Sequence, residues 1–327
     1  MKLLRRQFLN LAAGAAALPM KLSTSSAQTY PSRPVRMIVP FAPGGQVDVI
    51  GRLVAQILSK HFDKQFYIEN TSGAGGNIGM GRAAQSMPDG HTILVVEGTS
   101  FVVNPSLYAK VPYDPYRDFD PITIVARSTQ VLTVNLSLPV RTVPELIDLV
   151  KDNPGKYSYS SPGVGTAGHL TGELFRMSLG LDLVHVPFPG AGPAVVATIA
   201  GHTHMSFGSA ASTVGQIQEG KLRALAVATR KRLQALPDVP TMAESGYPHI
   251  EANQWVGLVA PAGTAKDIVA SIYREVVRGI VLEEIRQRLA AFGFEPIAST
   301  PEEMAKLITI EAEIWGKVIR SAKIKAG

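Results

Sequence analysis

Met37-Ile38-Val39-Pro40-Phe41-Ala42-Pro43-Gly44-Gly45-Gln46-Val47-Asp48-Val49-Ile50-Gly51-Arg52 is the stretch whose reading decides the fold of this chain. It enters from an apolar run, Val35 to Val39, breaks at Pro40 to Gly45, and resumes at helical spacing with Val47, Ile50, Val54, Ile57 and Leu58. That order reads as a buried strand running into a Pro/Gly turn that opens a helix. Gly44 and Gly45 carry no side chain, so a ligand can approach the main chain closely. The unpaired N–H groups of the helix start, at the positive end of its dipole, favour an anion. No nucleophile stands beside a base here, so the stretch is suited to holding an acid rather than cutting one. Asp48, in the first helical turn, either caps the Gly44-Gly45 turn or fixes the loop and receives an ammonium or water from a ligand.

The same grammar repeats outward. Gln65 to Glu69 is a second strand, followed by the Gly-dense loop Asn70 to Gly79, in which Gly76 and Asn77 offer inward main-chain amides. Ile78 to Ala84 is a helix, and Thr92 to Val96 a third strand leading into Glu97 and the polar Gly98-Thr99-Ser100. Strands alternating with helices predict a parallel sheet covered by helices, with ligands at the C-terminal strand edge. Ile122 to Val125 and Val131 to Asn135 are predicted as separate strands and the first crossing between lobes. A second series follows: a helix capped by Thr142 with Glu145 three residues on, a strand at Tyr157 to Ser160, then the turn Ser161-Pro162-Gly163-Val164-Gly165-Thr166 opening a helix that carries His169. Leu183 to Val186 enters Phe188-Pro189-Gly190-Ala191, Pro193 to Ile199 is a helix, Met205 to Phe207 a strand, and Leu222 to Ala228 the return crossing. Helices close the chain, the last capped by Thr300 with Glu303 at the capping-box position. Strand, Gly/Pro turn and helix in both halves fit two similar lobes facing each other. Phe41, Phe188 and Phe207 are either cleft walls or core; Phe41 and Phe188 sit within Pro/Gly turns.

A chain of 327 residues with 46% apolar content can build one large or two medium cores. The formal charge of +6 hints at an anionic polymer as partner. Four of the basic residues, Lys2, Arg5, Arg6 and Lys21, lie in residues 1–27 with no acid, leaving 28 basic against 26 acidic side chains beyond them, so no nucleic-acid partner is expected. Residues 1–27 have the parts of a cleavable export signal: a basic start, the apolar Phe8 to Leu18, and Ser25-Ser26-Ala27 before a cut at Gln28. Arg5-Arg6-Gln7-Phe8-Leu9 also fits a twin-arginine signal, and both export routes stay open. There is no cysteine, which removes disulfides, thiol catalysis, Cys-based zinc sites and a lipidated N-terminal Cys. A soluble periplasmic protein is expected.

Motifs of other chemistries are weak. Gly163-x-Gly165-x-x-Gly168 matches a dinucleotide fingerprint, but Asp182 precedes the next strand instead of ending it, where an acid would meet a ribose. An anion site made of the same amides fits better. Gly215-x4-Gly220-Lys221 lacks the Ser/Thr of a P-loop and precedes a strand. His202 and His204 lack further metal ligands nearby, and no G-x-S-x-G elbow exists. His169 is either a packing or capping residue, or a ligand donor or clamp on its loop. No cofactor and no metal are expected.

Taken together, Tyr30-Pro31, Pro40 to Gly45 with Asp48, Glu69-Asn70 with Gly73 to Gly79, Tyr113-Asp114-Pro115, Ser161 to Thr166 with His169, His185 to Phe188 with Gly190, Leu222 to Val227, Pro237 to Thr241 with Glu244 to Pro248, Trp255, and Pro261 to Thr264 resemble the substrate-binding proteins of tripartite tricarboxylate transporters, the Bug-type periplasmic receptors. The resemblance spans the mature chain. It implies an α/β, two-lobed periplasmic-binding-protein fold (type II-like), each lobe a mixed sheet flanked by helices, with the ligand in the interlobe cleft. Residues 28–127 with 229–327 would form lobe 1 and 128–228 lobe 2. It implies a monomeric receptor that captures a small organic carboxylate and delivers it to membrane transporter subunits, without catalysis. The site expected on this basis comprises Phe41, Ala42, Pro43, Gly44, Gly45, Val47, Asp48, Gly76, Asn77 and Ser100 from the first lobe. From the second it takes Ser161, Gly163, Gly165, Thr166, His169, Phe188, Gly190, Ala191 and Phe207. Val47 stands where the family commonly has Thr or Asn, Ala197 where it has Asp, and Phe188 where it has Tyr. All three lower polarity and point to an aromatic or short aliphatic monocarboxylate rather than citrate or aspartate. The alternatives are an exported α/β enzyme using the Gly163 loop for a cofactor or phosphate, and a ligand sensor for a signalling system.

Overall fold

Val35–Val39 (β1) is apolar at every position but Arg36 and buries nearly all of its length, because it is sandwiched between two parallel neighbours. In this computed structural model, which describes residues 30–322, β1 pairs with Phe66–Asn70 (β2) on one side and Thr92–Glu97 (β3) on the other. The helix Gln46–Phe62 (α1) returns from β1 to β2, and Asn77–Ala84 (α2) from β2 to β3. Gly98–Leu107 (α3) follows β3, its first turn capped by Glu97.

Phe119–Val134 (β4) is one continuous strand of sixteen residues, where the sequence predicts two. The polar Ala126-Arg127-Ser128-Thr129-Gln130 reads as a break between apolar runs. It is held in the ladder because Ala126 to Thr129 pair with another strand, Asn253–Pro261 (β9), and Gln130 passes to Met205–Ser209 (β7). At roughly 3.3 Å per residue β4 spans about 50 Å, enough to run through both lobes. Its first part joins the order β2-β1-β3-β9-β4, and its last part continues it through β7 to Tyr157–Ser161 (β5) and Leu183–Pro187 (β6). Arg223–Val227 (β8) and Glu295–Pro296 (β10) also pair with β4.

The helices are Val143–Lys151 (α4), Ala167–Ser178 (α5), Ala191–Ile199 (α6), Ala210–Gln218 (α7), Lys266–Ile280 (α8), Glu283–Ala291 (α9) and Pro301–Ala322 (α10). The capping box at Thr300 and Glu303 closes in both directions, at 3.1 and 2.8 Å. The Thr142 hydroxyl accepts from the Glu145 amide, while Glu145 reaches back to the Arg141 amide.

Two main cores result. One gathers Phe101, Tyr113, Phe119, Trp255 and Met304; the other gathers Leu132, Tyr159, Phe175, Phe207 and Leu225. Met242 and Ile250, placed in lobe 1 by the sequence division, pack into the second core, because Ala228 and Ala252 are joined main chain to main chain. The molecule is a two-lobed mixed α/β protein. Among the described residues no helix is long and apolar enough to cross a membrane. The leader expected at residues 1–27 lies outside the described residues.

Candidate functional site

The register of the central strands builds the floor of a cleft. Paired residues on adjacent strands share a face, as do residues two apart on one strand. Glu97 at the end of β3 pairs with Val256 of β9. Two residues earlier on β9, Gln254 pairs with Ser128 of β4. Two residues on, Gln130 pairs with Ser209 at the end of β7. Glu97, Gln254, Ser128, Gln130 and Ser209 therefore form one polar row across the junction of the lobes. All but Ser128 line a cavity of about 30 Å³, with Phe41, Gly45, Gln46, Val47, Pro162, Thr166, Gly168 and Ala191 around them.

Helix starts converge on the same cavity. The N-caps of α1, α6 and α7 are Gly45, Gly190 and Ser209, and none places a side chain on the first-turn amides of its helix. The start of α5 is different. Thr166 caps it by accepting from the His169 amide, and the Ala167 amide donates 2.9 Å to Glu97 Oε1 across the cleft. Glu97 Oε2 accepts from Ser100 N at 3.1 Å. One buried carboxylate thus serves the starts of two helices on opposite lobes. Burial pushes the Glu97 pKa up, while the bonds from Ser100 and Ala167 pull against it. Among the described residues no Lys or Arg lines the cavity. Two acceptors in its wall, Gln130 Oε1 and Gln254 Oε1, have no hydrogen-bond partner, although both side chains are 2% exposed. The Gln254 amide hydrogens are directed at Gln46 Oε1, 2.8 Å away.

Of the residues expected from sequence, Phe41, Gly45, Val47, Thr166 and Ala191 line this cavity. Ala42, Pro43, Gly44, Gly163 and Gly190 lie instead where the lobes touch. The Ala42 amide donates to Pro189 O at 3.1 Å, and a Cβ on Gly190 would meet Ala42 N at 2.8 Å. Pro43 and Gly44 pack against Gly192, and Gly163 against Gly75. The Tyr108 hydroxyl closes the same seam by donating to Val164 O at 3.1 Å.

Asp48 stands behind the first turn. Its oxygens accept from Gly44 N, from the Arg52 guanidinium at 3.0 Å and from Asn70 Nδ2, which also donates to Phe41 O. Burial alone would raise its pKa, but those donors hold it below the usual range. Gly76 backs the Phe41 ring, and Asn77 accepts from Asn104. Ser100 is held by Glu97, its amide donating to the Glu97 carboxylate and its hydroxyl to Glu97 O. Ser161 bonds His185 Nε2 at 2.7 Å. His169 stacks on His185 with ring centres 4.3 Å apart, and its Nδ1 accepts from the Gly165 amide, which also places Gly165 in the scaffold of the turn. Burial pulls the His169 pKa down to about 4 and that of His185 to about 3. Phe188 donates its amide to Ser161 O, while Phe207 is fully buried against Tyr159 and Phe175. Ala197 is buried and is not part of the cavity wall. Among the described residues no cluster of His, Cys, Asp or Glu could hold a metal ion; His204 is bound to Ser158.

Sequence reading missed Gln46, Gln130, Ser209 and Gln254 and left Glu97 at the margin. The available signal was a Gln at the polar edge of each of two apolar runs, Gln130 before Val131 and Gln254 before Trp255.

The fold has well-matched counterparts. The solved periplasmic binding protein BugD superposes with a TM-score of 0.87 at 33% identity, covering 90% of this chain and 99% of that one. A protein from R. palustris, Rpa4515, solved with adipate, gives 0.87 at 34% identity with the same coverage. Protein BugT of Bordetella pertussis is 35% identical over 303 residues, 92% of this chain and 93% of its own length. The family described as the tripartite tricarboxylate transporter family receptor matches residues 50–324. With its two lobes closing over uncapped helix starts, this chain belongs to that receptor family.

Proposed function

We propose that this protein is a periplasmic receptor that binds a small organic monocarboxylate between its lobes and passes it to the membrane subunits of a tripartite transporter, acting as a monomer and without catalysis. The observation that carries this reading is the convergence of the uncapped starts of α1, α6 and α7 on a single cavity that has no cationic side chain. Main-chain amides at a helix start bind an anion at no cost in side-chain ordering. The adipate bound by the R. palustris relative supports an acid as ligand, and the apolar Phe41, Val47, Pro162 and Ala191 suit a less polar body than a tricarboxylate. The cavity, about 30 Å³, has room for only about two water molecules, so an organic acid enters as the lobes part. A cofactor phosphate on the Gly163 turn is disfavoured, because the helix start it would use already faces the Glu97 carboxylate. The lobe division fits best with the second lobe carried on to residue 252, given where Met242 and Ile250 pack.

The test is a thermal-shift and calorimetric screen of organic acids. A cognate monocarboxylate at a hundred times its Kd should stabilise the protein by about 2.7 kcal/mol. Tight binding of citrate or aspartate, with no response to aromatic or aliphatic monocarboxylates, would exclude the proposed ligand class.

A further inference from the structure

We infer that the ligand carries, besides its carboxylate, a hydrogen-bond-donating nitrogen — a protonated amine or an amide — that docks among Glu97, Gln130 and Gln254. The inference rests on the receptor reading above and narrows its ligand. The cavity has two chemically distinct sides. The starts of α1, α6 and α7 offer donors. The strand floor offers acceptors: the Glu97 carboxylate, Gln130 Oε1 and Gln254 Oε1.

Two of those acceptors are buried and unpartnered, and such an atom is destabilising until a donor reaches it. The third is a carboxylate that has taken the anion position at the start of α5. A second ligand carboxylate would have to lie beside it in a site without a cation, which like-charge repulsion in a desolvated cleft opposes. An ammonium carries three hydrogens, one for each of these acceptors, and an amide nitrogen carries two, enough for the two unpartnered glutamine oxygens.

The experiment is calorimetry of the full mature protein with matched probes: butyrate, succinate, succinamate and gamma-aminobutyrate, and the aromatic series benzoate, terephthalate and terephthalamate. Butyramide and benzamide serve as acids' counterparts lacking the carboxylate. The nitrogen-bearing acids should bind about ten- to a hundredfold more tightly than the dicarboxylate of the same length. Glu97→Gln should erase most of that preference and improve dicarboxylate binding. The wild-type comparison stands alone if that variant folds poorly. Dicarboxylates binding as well as their nitrogen counterparts in the wild type would overturn the inference and leave the carboxylate receptor intact. Binding of the two amides without any acid would overturn the carboxylate reading and keep the donor nitrogen. No binding by any probe would overturn both.

Discussion

Asp48 shows how a single side chain sets a binding turn without entering the cavity. It is buried, its partner Arg52 is largely exposed, and its main work is to accept from the Gly44 amide and to hold Asn70, which in turn pins Phe41 O. The exposed Arg52 end of the ion pair is screened by solvent, which discounts its worth, and the bonds from Gly44 and Asn70 add to it. Asp48→Ala should cost about 1–3 kcal/mol in chemical denaturation and weaken ligand binding about tenfold through a loosened turn. Asp48→Asn keeps one acceptor for Gly44 and should recover part of both. An alanine variant as stable as the parent would show that the turn holds its shape from glycine and proline geometry alone. Glu97 is the opposite case: it caps a helix and also faces the ligand space.

The contact between α5 and β6 is made by His169 and His185, stacked and buried, with the outer nitrogens engaged by Gly165 and Ser161. Both stay neutral in the folded state far below the ordinary value of 6.5, at about 4 and about 3, because burial disfavours the charged ring. The unfolded chain binds these protons first as pH falls. Stability is therefore full above about pH 6.5 and is lost as pH drops toward the folded values, by an amount on the order of 2–3 kcal/mol for His169. Urea denaturation at neutral and at acid pH checks this: His169→Gln should flatten the pH dependence over that window. An unchanged slope would assign the acid sensitivity to other groups.

At the scale of the whole molecule, closure depends on main chain meeting main chain across the cleft. Gly192 in the first turn of α6 has no special backbone need, yet a Cβ there would lie 2.5 Å from Pro43 O on the other lobe. Gly192→Ala should raise or preserve unfolding stability, since alanine favours a helix over glycine by up to about 1 kcal/mol. The same methyl should hold the lobes apart and reduce ligand affinity at least about tenfold. Calorimetry beside denaturation separates the two effects. Affinity equal to the parent would mean that this closed seam is not the ligand-bound arrangement.

The sequence by itself determined what local chemistry dictates: the strand, turn and helix at Met37 to Arg52, the echo at Ser161 to His169, the Thr300–Glu303 capping box, and through these the two-lobed receptor family. Each of those signals lies within a few residues, where glycine freedom, capping and hydrophobic period act. Only the tertiary structure decided which side chains meet. Glu97, Gln130, Ser209 and Gln254 come together because β3, β9, β4 and β7 pair in one register, and nothing local in the chain encodes that pairing. The same register keeps β4 unbroken through its polar middle, and it sorts Phe41 and Val47 into the wall while Asp48, His169 and Phe207 stand behind it. A turn can offer amides from sequence alone. Which acceptors lie opposite them is decided by strands that are far apart along the chain and adjacent only in the folded sheet.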